Sequence, residues 1–271
     1  PFSTDGINSD GIAAPFIFKN QIIQFVKDEE NAQLNAKVDF GEFDLTLFSS
    51  FPDFTLSINN VSIANTGDFA GDTLLSTKNL TATINIMSVI SGSQYKIRSV
   101  VLDHPRILAR VFKDGRANWD ITKPDTAAPK TAEPAAEATK FKMSLKKFEI
   151  KEGNIVYDDK SMDFYTLLAG FNHTLTGDFT QDNFEMENDM SIDALTVKYG
   201  GIAYMSKVKT IVKAAIDADM PNFKFTFKEN EIQLNELFLG IDGSVTMPKD
   251  DIEMDIKFFA KKTEFKNILS L

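Results

Sequence analysis

Apolar and polar residues alternate along most of the chain after about residue 38, as in the run that contains Phe54, Leu56 and Ile58. In an extended strand, a period of two places every second side chain on the same face. The runs are separated by Gly, Pro, Asn and Asp, which are the usual turn residues between antiparallel strands. The pattern therefore predicts a mainly β protein with a quasi-repeated antiparallel sheet, not a single closed barrel.

One segment near the start has a different period. After Pro15, the apolar residues Phe18, Ile22, Phe25 and Val26 recur at spacings of three and four. This spacing places them on one face of an amphipathic helix, and proline suits a first helical position. We expect an N-terminal amphipathic helix there, preceded by a flexible lead-in at residues 1–14.

Composition divides the rest of the chain into two parts. Residues 122–140 are rich in Pro, Ala and Thr and contain no large apolar residue, which is typical of a linker or exposed loop. The expected parts are a helix-plus-sheet module at 15–121 and a second β-sheet region at 141–271. Within the first part, Asp103-His104-Pro105 interrupts two strand-like runs.

Charge and composition narrow the function classes. Apolar residues make up 43% and charged residues 25% of the chain, which is typical of a folded protein. The net charge is −10 and no dense Lys/Arg block is present, which argues against a nucleic-acid partner. Cysteine is absent, so no disulfide or thiolate chemistry is expected. The 24 Phe residues carry a large apolar surface without a polar group.

Candidate catalytic or metal-binding residues are few. His104 and His173 lack a second ligand at a recognised spacing, and a structural role is favoured for both. The acidic pairs at 158–159 and 250–251 lie where strands are expected to end, so turn roles are favoured. No Gly-x-Ser-x-Gly element is present. The sequence predicts no catalytic residue, no metal site and no cofactor.

Two groups of residues are candidates for function or structure. Residues 114–120 contain the only tryptophan, and the favoured interpretation is a hairpin-type turn whose aromatic residue fastens a strand end to the core. The alternating apolar residues form either an ordinary sandwich core or a surface for an apolar ligand. The members of the turn motif are Asp114, Gly115, Asn118 and Trp119. The candidate lipid-binding residues are Phe54, Leu56, Ile58, Leu80, Ile84, Ile86, Phe225 and Phe227.

The ends of the chain suggest a piece of a longer protein. The chain starts without Met and ends in the apolar run 267–271, so we expect any signal peptide or membrane anchor to lie outside it. The apolar-leaning stretch 16–26 is too short and too polar to span a bilayer.

Five segments of the first half form a recognisable set: 34–41 (LNAKVDFG), 47–56 (LFSSFPDFTL), 61–65 (VSIAN), 69–75 (FAGDTLL) and 114–121 (DGRANWDI). In their order and spacing over residues 16–121, these segments resemble the N-terminal region of the AsmA family of bacterial envelope proteins. After Lys140 the likeness is limited to strand alternation.

This resemblance implies a periplasmic protein anchored in the inner membrane of a Gram-negative cell, with a role in outer-membrane biogenesis or lipid transport and homeostasis. The family's N-terminal part is related to chorein-type lipid-transfer modules, in which a strongly curved sheet or repeated β-groove offers an apolar concave face to acyl chains. The implied partner is a phospholipid or another acyl-chain ligand. The family offers no catalytic motif to carry over.

Three functional hypotheses follow. In the first, the chain holds lipid on an apolar β-groove. In the second, it is a protein-interaction or chaperone-like scaffold whose exposed sheet edges pair with strands of envelope or outer-membrane proteins. The third, an enzyme, is the least favoured because it needs separated carboxylates to converge in one pocket.

Overall fold

The computed structural model describes residues 34–46, 53–85, 87–88, 95–122, 141–247, 252–261, 264 and 266. The helix predicted from Pro15 to Val26 lies outside these residues. So do Ile86, the acidic pair 250–251 and the linker residues 123–140.

The described residues form a mainly β structure, as the alternation predicts, and thirteen strands belong to one sheet. A short 3-10 helix, Gly67–Phe69, connects two of them. The strands are β1 (Ala36–Asp39), β2 (Phe43–Thr46), β3 (Asp53–Asn65), β4 (Thr73–Asn85), β5 (Tyr95–Asp103), β6 (Arg106–Val111), β7 (Phe141–Asp159), β8 (Phe164–Gly177), β9 (Asn183–Tyr199), β10 (Ile202–Asp219), β11 (Lys224–Leu234), β12 (Leu237–Thr246) and β13 (Glu253–Ala260).

Strand order follows the sequence closely. The path runs β1-β3-β4-β5-β7-β8-β9-β10-β11-β12-β13, with β2 also on β3 and with β6 between β4 and β7. Among the described strands the sheet is open, because β1 and β2 lie at one edge and β13 at the other. A second sheet, as a sandwich would require, is not formed by these strands.

The sheet departs from the predicted antiparallel arrangement at one strand. Strand β7 runs parallel to both β5 and β6. The reason is the connection that precedes β7: the chain leaves the end of β6 and begins β7 beside the start of β5, where Phe141 pairs with Tyr95. A return of this kind produces a parallel pair, whereas a tight hairpin produces an antiparallel one.

Strands β5 and β6 behave as one interrupted strand. Both pair with β4 on one side and with β7 on the other, and they are separated at His104, which has a φ of 51°. The interruption predicted at Asp103-His104-Pro105 is confirmed. Because β7 pairs with both strands, the stretches of sequence before and after the linker share one sheet.

Cross-strand register aligns apolar residues into a row that crosses ten strands, which we call the central row. Neighbouring strands lie about 4.8 Å apart, so the row extends over roughly 43 Å. Its members are Ile58, Leu80, Leu102, Ile150, His173, Met190, Val212, Ile232, Leu239 and Ala260.

Residues adjacent in sequence to those of the central row form another cross-strand row, and its side chains are mostly polar. Successive residues along a strand point to opposite faces, so this row lies on the other side of the sheet. It is polar except at Val101. Its members are Ser57, Thr81, Val101, Glu149, Thr174, Asp189, Lys213 and Glu231. The sheet therefore has an apolar face and a polar face.

A line of backbone irregularities crosses the sheet beside the central row. A bulge inserts a residue and so reverses which face the following side chains occupy. The irregularities lie on β3, at the break between β5 and β6, and on β7, β8 and β10, and the apolar face stays continuous across the line. The positive-φ residues of this bulge line are Asn60, His104, Glu152, Gly170 and Lys207.

Beyond the bulge line lies a second apolar row. Its residues pack against those of the central row: Ile155, Leu168 and Leu195 contact the buried cluster of Leu102, Ile150, Phe171 and Ile192. The members of the second row are Val38, Ile63, Leu75, Ile107, Ile155, Leu168, Leu195 and Val208.

Candidate functional site

The apolar face, which carries the central and second rows, is the largest feature with functional potential among the described residues. Of the eight residues predicted for lipid binding, the seven that the structure describes all lie on this face. Five are adjacent on β3 and β4, because Phe54 pairs with Ile84 and Ile58 pairs with Leu80. The other two, Phe225 and Phe227, lie six strands away on β11.

Exposure varies across the apolar face. Phe54 is 5% exposed and Leu56 is 7% exposed, so these two side chains are closed off from solvent. The side chains of Phe225 and Phe227 are half-buried. The face becomes most open at the β13 edge.

Several residues of the apolar face were not selected from the sequence. They include Met190, Val212, Ile232 and Leu239, which connect the β4 group to the β11 group through the central row. Alternation within each strand places these residues on a face, but it does not give the register between strands. The missing information is the pairing of strands that are distant in sequence.

One polar pair interrupts the apolar face. The ring nitrogen Nε2 of His173 lies 2.8 Å from Oδ1 of Asn188 on the next strand. The imidazole also stacks on Phe171, with ring centroids 5.7 Å apart, and meets Phe148 edge-on at 6.1 Å. His173 is thus held by a neighbouring amide and two aromatic rings, which supports the structural role favoured from the sequence.

The turn motif at 114–119 closes one end of the sheet. Gly115 has a φ of 86°, a conformation that favours glycine, and its amide donates to the carbonyl of Phe112 at 3.0 Å. The Asp114 carboxylate accepts hydrogen bonds from the backbone amide of Arg116 and, second in effect, from its guanidinium, and these bonds lower the pKa of Asp114. The predicted turn is confirmed.

The residue that fastens this turn to the sheet is Asn118, not Trp119. Trp119 is 41% exposed and stacks on Tyr157, whereas Asn118 is 1% exposed. The Asn118 side chain accepts from the amide of Arg110 at 2.8 Å and donates to the carbonyl of Leu108 at 2.7 Å. The predicted aromatic contact is therefore a partly exposed stack on Tyr157, and the amide of Asn118 in addition satisfies two backbone groups of β6, which an indole ring is unable to do.

An ion-pair network lies beside Asn118. The guanidinium of Arg110 donates to both carboxylate oxygens of Asp72, at 2.8 and 2.7 Å. Asp158 lies 3.5 Å from the Nε atom of Arg110 and 2.7 Å from the Nζ atom of Lys160. The acidic residue Asp158 is therefore compensated by two cations.

Its neighbour Asp159 organises the turn between β7 and β8. One carboxylate oxygen accepts hydrogen bonds from the hydroxyl of Ser161 at 2.6 Å and from the amides of Ser161 and Met162. These bonds, with the Ser161 hydroxyl foremost, lower the pKa of Asp159. The other oxygen accepts from Tyr157 at 2.9 Å, and this bond to a carboxylate raises the pKa of the Tyr157 hydroxyl. A turn role for Asp159 is confirmed.

The described residues form neither a metal cluster nor a membrane-spanning helix. Within the described ranges, no group of three or more His, Asp or Glu side chains is placed to hold a metal ion. No helix of those ranges has both the length and the apolar character needed to cross a bilayer.

A sequence model of the AsmA family matches residues 12–176, which is more than half of the chain. The chain therefore belongs to the AsmA family. The match continues past the linker through β7 and nearly all of β8, so the likeness after Lys140 is more than strand alternation. No curated protein and no solved structure matches the chain. Family membership suggests an envelope-related protein.

Proposed function

We propose that the chain is a non-enzymatic, lipid-handling part of an envelope protein and holds acyl chains on its apolar face. The observation that carries the proposal is the central row, in which apolar side chains continue across ten paired strands on one side of the sheet. An ordinary core of this width would be covered by a second layer, and the described strands form only one sheet.

The chemistry of the face fits a hydrocarbon ligand. Its members are mainly aliphatic or aromatic, and the polar pair His173 and Asn188 satisfies itself across two strands. A face with few fixed polar groups binds by removing apolar area from water, at about 25 cal/mol per Å². Such binding is non-directional and suits acyl chains of varied length.

The proposed setting rests on family membership. We propose that the full-length protein is anchored in the inner membrane and faces the periplasm, and that it acts in outer-membrane biogenesis or in lipid transport and homeostasis. Phospholipid is the proposed ligand, and envelope proteins are the proposed partners. AsmA membership and the continuous apolar face support this setting.

The test compares two adjacent residues of β10. Val212 lies on the apolar face and pairs with Met190, whereas Ile211 lies on the polar face and pairs with Ser191; both side chains are half-buried. Val212→Asp places a charge against bound hydrocarbon, which costs about 2 kcal/mol or more and lowers lipid affinity roughly 30-fold. Ile211→Asp is the matched control.

Native mass spectrometry of gently purified protein, with extraction of bound lipid, gives the readout. The proposal expects phospholipid on the wild type and on Ile211→Asp but little on Val212→Asp, with circular dichroism showing that all three are folded. A folded wild type without lipid would contradict it.

A second candidate function is a scaffold that pairs with strands of a client protein. The observation in its favour is β13, which pairs only with β12 among the described strands and leaves the side chains of Met254, Phe258 and Phe259 exposed. An accessible strand edge is a template for β-augmentation. Ile256→Pro, which disturbs the β13 backbone, would abolish binding of a strand peptide if this function holds and would leave lipid binding intact.

A further inference from the structure

Exposed apolar side chains collect at the end of the sheet where β6 and β7 finish and β10 begins, which we call the tip. Tyr199 and Ile202 pair across the β9–β10 turn, and both are more than half exposed. The β7–β8 turn lies beside it, because the amide of Gly200 donates to the carbonyl of Asp163 at 3.0 Å. That second turn presents Met162, which is 56% exposed.

Aromatic rings extend the tip along the ends of the strands. The ring of Trp119 lies 6.1 Å from that of Tyr157, which lies 6.0 Å from that of Phe164. Phe164 in turn pairs with Tyr199. The rings of Trp119, Tyr157 and Phe164 therefore form a row, and strand pairing places Tyr199 next to Phe164 and Ile202 next to Tyr199.

We propose that the tip docks on the surface of a lipid membrane. Tyrosine and tryptophan combine an apolar ring with a polar group, and this combination is favoured at the boundary between headgroups and hydrocarbon. Isolated exposed apolar residues are ordinary, but a contiguous patch on two adjoining turns marks an interaction surface.

The opposite end of the sheet also exposes apolar residues, but its chemistry is different. There Phe223 and Met220 lie on the β10–β11 turn and lack a polar aromatic group. Counted from the last residue of one strand to the first residue of the next, the tip turns 159–164 and 199–202 contain two aspartates and one lysine, and turns 177–183 and 219–224 contain three aspartates and one lysine. Both ends are acidic, so the polar aromatic rings distinguish the tip from the opposite end, and charge does not.

The position at which the first 33 residues join the sheet also favours the tip as the membrane-docking end. Leu34 bridges to Thr122, and the amide of Asn35 donates to the carbonyl of Ile121, so the preceding 33 residues connect to the sheet at the tip end. Those residues include the segment predicted to be an amphipathic helix, a type of segment that also lies in membrane interfaces.

Docking at the tip does not require that the apolar face binds lipid, so the two proposals fail separately. If both hold, the apolar face opens toward the membrane, because Tyr199 and Ile202 form the outermost pair on that face. Lipid would then reach the second and central rows from the tip.

The experiment uses the single tryptophan of the chain as a reporter, because Trp119 lies at the tip. The full chain is mixed with vesicles of phosphatidylglycerol and phosphatidylcholine, with and without brominated acyl chains. Docking shifts the tryptophan emission to the blue and allows bromine to quench it. Sedimentation of the vesicles measures the bound fraction.

Two double variants separate the ends. Tyr199→Ser with Ile202→Ser weakens vesicle binding roughly tenfold or more for each buried side chain lost, while Met220→Ser with Phe223→Ser leaves it unchanged. Equal loss in both variants, or no loss in the first, overturns the proposal.

Two further measurements test two alternatives: that vesicle binding depends on the apolar face, and that the tip binds a second copy of the chain. Val212→Asp, which removes lipid from the apolar face, should still bind vesicles and be quenched; loss of binding there would overturn docking at the tip. Analytical ultracentrifugation without vesicles tests a second copy as the occupant. A dimer of the wild type that disappears in the tip variant would also overturn the proposal.

Discussion

Replacement of Asn118 should destabilise the protein more than any other single change in the turn at 114–120. The side chain is buried, its Oδ1 accepts the amide of Arg110 at 2.8 Å, and its Nδ2 donates to the carbonyl of Leu108 at 2.7 Å. In Asn118→Ala both backbone groups lose their partner away from water. The side chain of Asn65, which donates to the carbonyl of Asn118 at 2.6 Å, also loses its anchor if the turn shifts.

The size of the effect follows from these contacts. A buried polar group without its partner costs about 1–3 kcal/mol, and two are created, so we expect the free energy of unfolding to fall by about 2–6 kcal/mol. Urea denaturation followed by far-ultraviolet circular dichroism measures it. Asp120→Ala, at an exposed position in the same turn, is the control and should change it by less than about 0.5 kcal/mol.

Trp119→Ala separates the two interpretations of the turn. Loss of an exposed stacking contact with Tyr157 should cost about 0.5–1.5 kcal/mol, which is less than Asn118→Ala. If Asn118→Ala unfolds within about 0.5 kcal/mol of the wild type, the amide does not fasten the turn and the reasoning is refuted.

Three further changes test the sheet. Gly170→Ala should cost about 2–3 kcal/mol, because its φ is 63° and the new Cβ would meet the carboxylate of Asp193, while Gly200→Ala, with open space around it, should cost about 1 kcal/mol. Thermal denaturation compares the two. Asp159→Asn should reduce the free energy of unfolding more at neutral pH than in acid: the folded pKa is lowered, so the stabilisation is present above the ordinary value of 3.8 and is lost as the pH falls through the folded pKa. His173→Leu alone should cost about 1 kcal/mol by leaving the Asn188 amide without its partner, and His173→Leu with Asn188→Leu should recover that cost in a urea double-mutant cycle.

Local alternation was enough to predict the strands and their faces. The run Phe54, Leu56, Ile58 is part of β3, and the run from Phe164 to Leu175 is β8 with two residues added. In a sheet with one apolar face, the period of two is set within each strand, so the sequence of that strand contains the information. The candidate lipid-binding residues were placed on one face for this reason.

Pairing between distant strands was not predictable from the same signal. The runs at Phe141, Phe148 and Ile155 belong to one long strand, β7, which is parallel to β5 and β6. The first two runs are separated by a register shift between Met143 and Lys147, and the last two by the bulge at Glu152, where the alternation changes phase. In the sequence, a break in the alternation of apolar and polar residues is read as a loop between two strands. In the sheet, the break at Glu152 is a bulge that lies beside the bulge at His104 on the neighbouring strand.

The bulge line was not predictable from the sequence for a further reason. Glycine signals positive φ in a sequence, yet Asn60, His104, Glu152 and Lys207 adopt it without being glycine. The surrounding sheet enforces the conformation, and no local sequence rule records that constraint. Asn118 was underestimated for a similar reason, because asparagine in a turn is ordinary until its two backbone partners are known.

The claim that acyl chains lie on the apolar face is tested most directly by photo-crosslinking at two adjacent positions of β9. A photoreactive amino acid replaces Met190, which lies on the central row, or Asp189, which lies on the polar face. Membranes containing the labelled protein are irradiated and lipid adducts are identified by mass spectrometry. The account predicts phospholipid adducts at position 190 and none at position 189. Adducts at both positions in equal yield, or at neither, would contradict it.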